Sequence, residues 1–268
     1  MLIIPDIKRA INFNFLAIMK GFTSRRKAIK SAGLGLAALV TTPYISASAK
    51  KAASVPEGLT ILMQGDSITD AGRDRARYYA NDASGMGRGY VHQVVAQMMG
   101  EHPDKSFRFY NRGISGNKVY QLSDRWDDDA LQLKPDVLSI LIGVNDFWHT
   151  LRNYDGTVET YSTDLQALLE RTMKALPDVK LIMGEPFAVA GGSAIDEKWY
   201  PEFPEYQKAA RQLAADFNAE FIPYQQVFSD ALKVAPASYW CPDGVHPSMA
   251  GAYLMKEAWI AGFNNLFS

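Results

Sequence analysis

LTILMQGDSIT, residues Leu59–Thr69, is an apolar run that stops abruptly at Gly65-Asp66-Ser67. About five apolar residues closing on a glycine form the pattern of a strand buried on both faces of a parallel sheet and breaking into a turn. In open α/β sheets, ligands bind just beyond the carboxyl ends of the strands, so the turn presents the Ser67 hydroxyl where a nucleophile is expected. Serine also ends many strands as a cap or turn former. The assignment therefore depends on what else the chain brings to that edge.

Outward from this strand, Ile68–Gly89 reads as a long loop carrying Arg73, Arg75, Arg77 and Arg88 beside Tyr78 and Tyr79. Long loops in compact domains are often functional, and this one is expected to form a wall of the site. Apolar residues at helical spacing predict a helix over Tyr90–Met99, and Phe107–Asn111 reads as a second strand. A helix is expected over Lys118–Leu133. Its Asp127-Asp128-Asp129 run cannot converge on one ion, because consecutive helical residues point about 100° apart. The third strand is Val137–Ile142, ending in Gly143-Val144-Asn145-Asp146. A helix over 158–176, a fourth strand at Val179–Met183, a second long loop at Phe187–Pro204, a helix over 205–218, a fifth strand near Glu220–Pro223 and a final helix from Ser248 complete the pattern. Strands alternating with helices give a parallel sheet covered on both faces, in one domain over residues 58–268.

The 268 residues are 47% apolar and carry 28 basic against 29 acidic side chains, a net charge of −1. That balance, without a basic cluster in the body, excludes nucleic acid as a main partner. The N-terminus differs. Ser24-Arg25-Arg26-Lys27-Ala28-Ile29-Lys30, the mild apolar run Ala32–Val40 and Ala47-Ser48-Ala49 give the order of a signal peptide, basic, apolar, then an A-x-A cleavage site. Residues 1–49 are therefore expected to be a signal and 50–57 a linker, with Met19 an alternative start. The paired arginines resemble a twin-arginine signal, with Ala28 where that pattern usually has Phe, so the partner in export would be the twin-arginine translocase. The apolar run is too short for a permanent span, so no stable membrane anchor is expected after cleavage and the mature protein should be periplasmic or secreted. The one cysteine, Cys241, allows no intramolecular disulfide and reads as a small buried hydrophobe. The roughly 220 residues after the signal are enough to build a core without one.

Acyl transfer by serine needs a hydroxyl, an imidazole to take its proton, an acid to orient the imidazole, and donors for the oxyanion. The turn Asp243-Gly244-Val245-His246-Pro247 supplies the acid and the base three residues apart, a spacing that lets the Asp243 carboxylate reach Nδ1 while Nε2 faces Ser67. The expected oxyanion donors are the backbone N–H groups of Ser67 and Gly113 and the side-chain amide of Asn145. Gly113 lacks a Cβ, which allows a close approach of backbone to substrate.

The blocks GDSITD, NRGISGN, IGVND and DGVHP, in this order, resemble the GDSL-type or SGNH hydrolase family, named for the Ser, Gly, Asn and His that here are Ser67, Gly113, Asn145 and His246. The resemblance covers essentially all of residues 59–262. It implies a flavodoxin-like, three-layer α/β/α sandwich with a five-stranded parallel sheet, and a Ser67-Asp243-His246 triad with no cofactor. The α/β-hydrolase pattern fits badly, since Gly65-Asp66-Ser67-Ile68-Thr69 lacks the second Gly of G-x-S-x-G. The longer strings QGDSITDAGR, NRGISGN, RWDDD and GVNDFWH resemble the branch that contains carbohydrate esterases such as acetylxylan esterases. That resemblance implies an esterase removing short acyl groups, foremost acetyl, from an oligo- or polysaccharide. Trp148 and Trp240, each three residues from a site residue, are expected near the mouth as platforms for sugar rings. His149 has no carboxylate cluster around it, and no metal site is expected. Two alternatives remain open at this stage: a lysophospholipase or thioesterase built on the same catalytic groups, and a non-catalytic carbohydrate-binding protein on a hydrolase scaffold.

Overall fold

Every residue of Thr60–Gly65 is buried. A strand buried along its whole length needs cover on both faces and a partner on each side. In the computed structural model, which describes residues 55–268, this segment is strand β1 and has both. It pairs in parallel with β2 (Arg108–Asn111), Leu62 opposite Tyr110, and with β3 (Val137–Leu141), Leu62 opposite Leu138. β4 (Lys180–Gly184) and β5 (Glu220–Ile222) extend the sheet beyond β3, giving five parallel strands in the order β2-β1-β3-β4-β5. The chain leaves β1 for one side and returns to the other, so β1 and β3 flank the topological switch point, where a crevice opens at the carboxyl ends. Ser67 lies at that edge, just past the end of β1.

Joining the strands are α1 (Ser67–Asp70), α2 (Tyr90–Glu101), α3 (Val119–Asp124), α4 (Trp126–Asp129), α5 (Val144–Trp148), α6 (Val158–Ala175), α7 (Phe203–Asp216), α8 (Tyr224–Ala231), α9 (Ala237–Trp240) and α10 (Met249–Asn265). α10 packs on α2, α8 and β5, and its Trp259 donates the indole N–H to Ser139 Oγ of β3 at 2.9 Å. The other layer is built on α6, which packs against α3 and α7. Its buried residues Tyr161, Leu165, Leu168, Leu169 and Thr172 recur at helical spacing, and the Thr157 hydroxyl caps its start by accepting from Thr160 N–H. These two helical layers and the sheet between them make the three-layer α/β/α sandwich.

The structure departs from the sequence reading in several elements, while the expected start of the last helix holds. The single helix expected over 118–133 is broken into α3, α4 and a 3₁₀ turn at Leu131–Leu133. The break falls at Arg125, whose guanidinium turns inward to Asn117 Oδ1 at 3.0 Å and the Arg112 carbonyl at 2.9 Å. Next to it Trp126 is fully buried and donates to Thr172 Oγ1 of α6. The long loop after Ser67 begins with α1 and contains a 3₁₀ turn at Ser84–Met86, and α5, α8 and α9 were not foreseen. The last helix starts at Met249, with Ser248 as its cap, its Oγ accepting from Gly251 N–H. The expected signal at 1–49 and the first part of the linker lie outside the described residues.

Candidate active site

The sharp exit from β1 is enforced by Gly65. Its φ is +156°, and a Cβ there would stand 2.3 Å from the Leu141 carbonyl. Asp66 then caps α1, its Oδ1 accepting from Ile68 N–H at 3.0 Å. Ser67 is the first residue of α1, half-buried, and its backbone N–H has no partner among the described residues.

The far end of the chain meets it. In the turn after α9, Asp243 Oδ1 accepts from the backbone N–H of Val245 at 2.9 Å and of His246 at 2.7 Å, which fixes the carboxylate. Its Oδ2 lies 2.6 Å from His246 Nδ1, and His246 Nε2 lies 2.7 Å from Ser67 Oγ. A carboxylate can only accept, so the imidazole carries its proton on Nδ1 and leaves Nε2 to take the serine proton. Burial works to raise the Asp243 pKa, but the hydrogen bonds from the His246 ring and the two backbone N–H groups outweigh it and hold the carboxyl at about 2. The same bond to Asp243 raises the His246 pKa above its ordinary value, against burial, which lowers it. His246 is 44% exposed, so the three groups meet at an open mouth.

Two carboxylates beneath this mouth had not been singled out. Asp66 and Asp146 are buried, and each has one oxygen without a hydrogen-bond partner among the described residues. Burial pushes both up to about 7, and the Asp66 charge adds to the rise at Asp146. Both stand in the blocks that carry the family resemblance, Asp66 in GDSITD and Asp146 in IGVND, but the sequence alone does not show that they are buried.

Asn145, the second residue of α5, is buried, and its amide donates one N–H to the Asn117 carbonyl at 3.2 Å, leaving the second N–H for another acceptor. The structure corrects the reading of Gly113. Its N–H is spent on Asn111 Oδ1 at 2.9 Å, and a Cβ there would sit 2.5 Å from Asp70 N, so this glycine serves the packing of the loop against α1. Three residues on, Asn117 N–H returns to the Ile114 carbonyl at 3.1 Å and closes a β-turn. Gly116 occupies its third position with φ +82°, the conformation that favours glycine there. Its N–H has no partner among the described residues, and the Asn117 beside it holds the Asn145 amide. Both glycines stand in NRGISGN, and spacing alone does not say which N–H is free. The arginine-rich loop helps to clamp this turn: Arg73 Nε donates to the Gly113 carbonyl at 2.8 Å, and Asp70 Oδ2 accepts from Arg75, from Ser115 N–H and from Ser115 Oγ.

The two tryptophans part company. Trp148 is half-buried, its ring 6.3 Å from the His246 ring and backed at 5.7 Å by the buried Trp199. Trp240 is only 5% exposed, and its indole N–H is taken by the Ala231 and Ala235 carbonyls, so it offers no platform to a sugar. Cys241 is buried, its thiol pushed well up by burial and then by the Asp243 charge, and it is not available as a nucleophile. His149 lies against Lys118, with no metal-ligating cluster among the described residues.

Comparison with known proteins bears on the family and the fold. The model of the GDSL-like lipase/acylhydrolase family matches residues 64–254. An acetylxylan esterase of Geobacillus stearothermophilus is 33% identical over 215 residues, covering 77% of this chain and 94% of that protein. Its crystal structure superposes with a TM-score of 0.68, at 32% identity over 77% of this chain and 94% of that one. Catalytic variants of that esterase replace a serine, an aspartate and a histidine. A GDSL-like lipase from Parabacteroides merdae is similar at 50% identity and a TM-score of 0.76, over 78% of this chain and 97% of that one. With this sheet and these sequence blocks, the chain belongs to the GDSL-like lipase/acylhydrolase family and is a carboxylic ester hydrolase.

Proposed function

We propose that the protein removes acetyl groups from carbohydrate esters by a double displacement at Ser67. The observation that carries this reading is the continuous hydrogen-bonded line from Ser67 Oγ through His246 to Asp243, 2.7 and 2.6 Å long, at an open mouth. In the first half-reaction Ser67 Oγ attacks the acetyl carbonyl while its proton passes to His246 Nε2, and Asp243 stabilises the imidazolium. The carbonyl oxygen, now anionic, is received by the N–H groups of Ser67 and Gly116 and by the free amide N–H of Asn145. The imidazolium then gives its proton to the departing sugar oxygen, leaving Ser67 acetylated. In the second half a water loses its proton to His246 and attacks the acetyl carbon, and Ser67 Oγ leaves with that proton as acetate is released. The choice of acetyl over longer acyl groups is supported by the half-exposed site. A channel for an eight-carbon chain would gain roughly 0.8 kcal/mol for each buried methylene, and a mouth with His246 44% exposed gives little such burial. The kinship with an acetylxylan esterase and the Trp148 ring beside His246 support a sugar as the alcohol part.

The test is a series of nitrophenyl esters together with acetylated xylo-oligosaccharides. kcat/KM should fall as the acyl chain lengthens from two carbons to eight, acetate should be released from the saccharides, and Ser67→Ala should abolish both activities. Preference for octanoyl with the saccharides untouched would assign the site to lipid or thioester substrates instead. The reading includes export: the basic segment Ser24–Lys30, the apolar run Ala32–Val40 and Ala47-Ser48-Ala49 support a cleaved twin-arginine-type signal and a periplasmic or secreted enzyme.

A further inference from the structure

Next to the proposed site a lysine is buried without a counter-ion. Lys118 follows Asn117, whose carbonyl holds the Asn145 amide, and only 7% of its surface is exposed. Its ammonium lies 3.1 Å from His149 Nδ1, 4.8 Å from the centre of the Tyr154 ring and 5.5 Å from that of Tyr120. The two tyrosine rings stack on each other at 6.2 Å, and Tyr120 is 40% exposed. His149 is held below its ordinary pKa by burial and by the charges of Lys118 and Arg152, so it accepts from Lys118 as a neutral ring and retains an N–H on Nε2. The exposed Arg152 guanidinium stands 5.8 Å from the centre of the Trp148 ring. Among the described residues neither Lys118 nor Arg152 enters an ion pair. Asp146 feels the Lys118 charge, but it is buried beneath the site, one oxygen is committed to Val119 N–H, and burial leaves it partly protonated near pH 7.

A buried ammonium has three N–H donors and a large hydration to replace. One neutral imidazole and two aromatic faces replace part of that hydration, and they leave the charge uncompensated. A carboxylate arriving with the substrate would supply what is missing. It would find Lys118 beside His149 and Arg152 beside Trp148, with the exposed part of Tyr120 to cover a sugar ring.

We infer that Lys118, Arg152, Tyr120 and Tyr154 form a subsite for a uronate, so that the substrate is an acetylated saccharide carrying a carboxylate-bearing sugar close to the acetyl group. This inference rests on the saccharide reading of the site. The experiment compares acetate release from acetylated xylo-oligosaccharides with and without a glucuronic acid branch. The wild-type enzyme should favour the acidic substrate in kcat/KM, and the preference should shrink as salt is raised. Lys118→Met keeps an unbranched stem between the tyrosines and removes the charge. It should reduce the ratio of the two kcat/KM values roughly tenfold, the scale of one charge-assisted hydrogen bond. Arg152→Gln, at an exposed position, should reduce the same ratio with the fold intact, so the outcome does not depend on how Lys118→Met folds. Equal kcat/KM for the two saccharides in the wild type, or a ratio untouched by Arg152→Gln and by salt, would overturn the subsite and leave the saccharide reading standing. If neither saccharide loses acetate while nitrophenyl acetate is still cleaved, the saccharide reading falls and the subsite with it.

Discussion

His246 can act as a base only while it is neutral, and its bond to Asp243 works against that by raising its pKa above the ordinary value. Activity should therefore rise with pH as His246 gives up its proton. Asp243→Asn removes the charge that holds this proton, so the midpoint of the kcat/KM profile should move to lower pH. The amide also gives the imidazole the wrong tautomer, and the plateau should fall by a factor on the order of 10⁴. A pH profile of the variant on nitrophenyl acetate checks both, and a midpoint that stays in place would show that Asp243 does not set the charge on His246. At this scale the sequence was a good guide wherever one residue type can do one job. Ser67, His246 and Asp243 form one hydrogen-bonded line, the serine just past a strand end and the other two in a glycine-containing turn. It was a poor guide where two candidates are chemically alike. The Gly113 N–H is taken by the Asn111 side chain and the Gly116 N–H is not, and Trp148 is half-buried beside His246 while Trp240 is buried with its indole N–H spent.

The elements around the site are held by close approaches of backbone to backbone. Gly113 lies against α1 so tightly that an added Cβ would be 2.5 Å from Asp70 N and 2.9 Å from the Thr69 carbonyl carbon. Backbone cannot yield as a flexible side chain does, so Gly113→Ala should cost about 1–3 kcal/mol in stability, read as a lower midpoint in urea denaturation. Unchanged stability would mean that the loop and α1 separate freely. Strands were legible in the sequence because fully buried runs such as Thr60–Gly65 and Val137–Leu141 are apolar almost throughout, the first ending at Gly65 and the second two residues before Gly143. α8 was legible in principle, since Tyr224, Phe228 and Ala231 are buried at helical spacing. The interruption at Arg125 was not. It depends on Asn117 and the Arg112 carbonyl, partners brought there by tertiary structure.

For the molecule as a whole, the proposed export makes a prediction about the precursor. Arg25→Lys combined with Arg26→Lys should strand it in the cytoplasm with residues 1–49 still attached, and the exported wild-type protein should begin after Ala49. Cell fractionation with N-terminal sequencing checks this, and an exported protein that still begins at Met1 or Met19 would exclude cleavage. The architecture itself was readable from the alternation of apolar runs with helical segments. The strand order was not, because it depends on which edge of β1 the chain returns to. The geometry of the triad has one more implication. Ser67 and His246 are 179 residues apart in sequence, and α10, which follows His246, packs on α2 and β5. A growing polypeptide still attached to the ribosome displays the serine long before the imidazole exists, so under the proposed mechanism hydrolysis should start only after synthesis has passed His246, and a product of premature termination before Asp243 should be inert from birth.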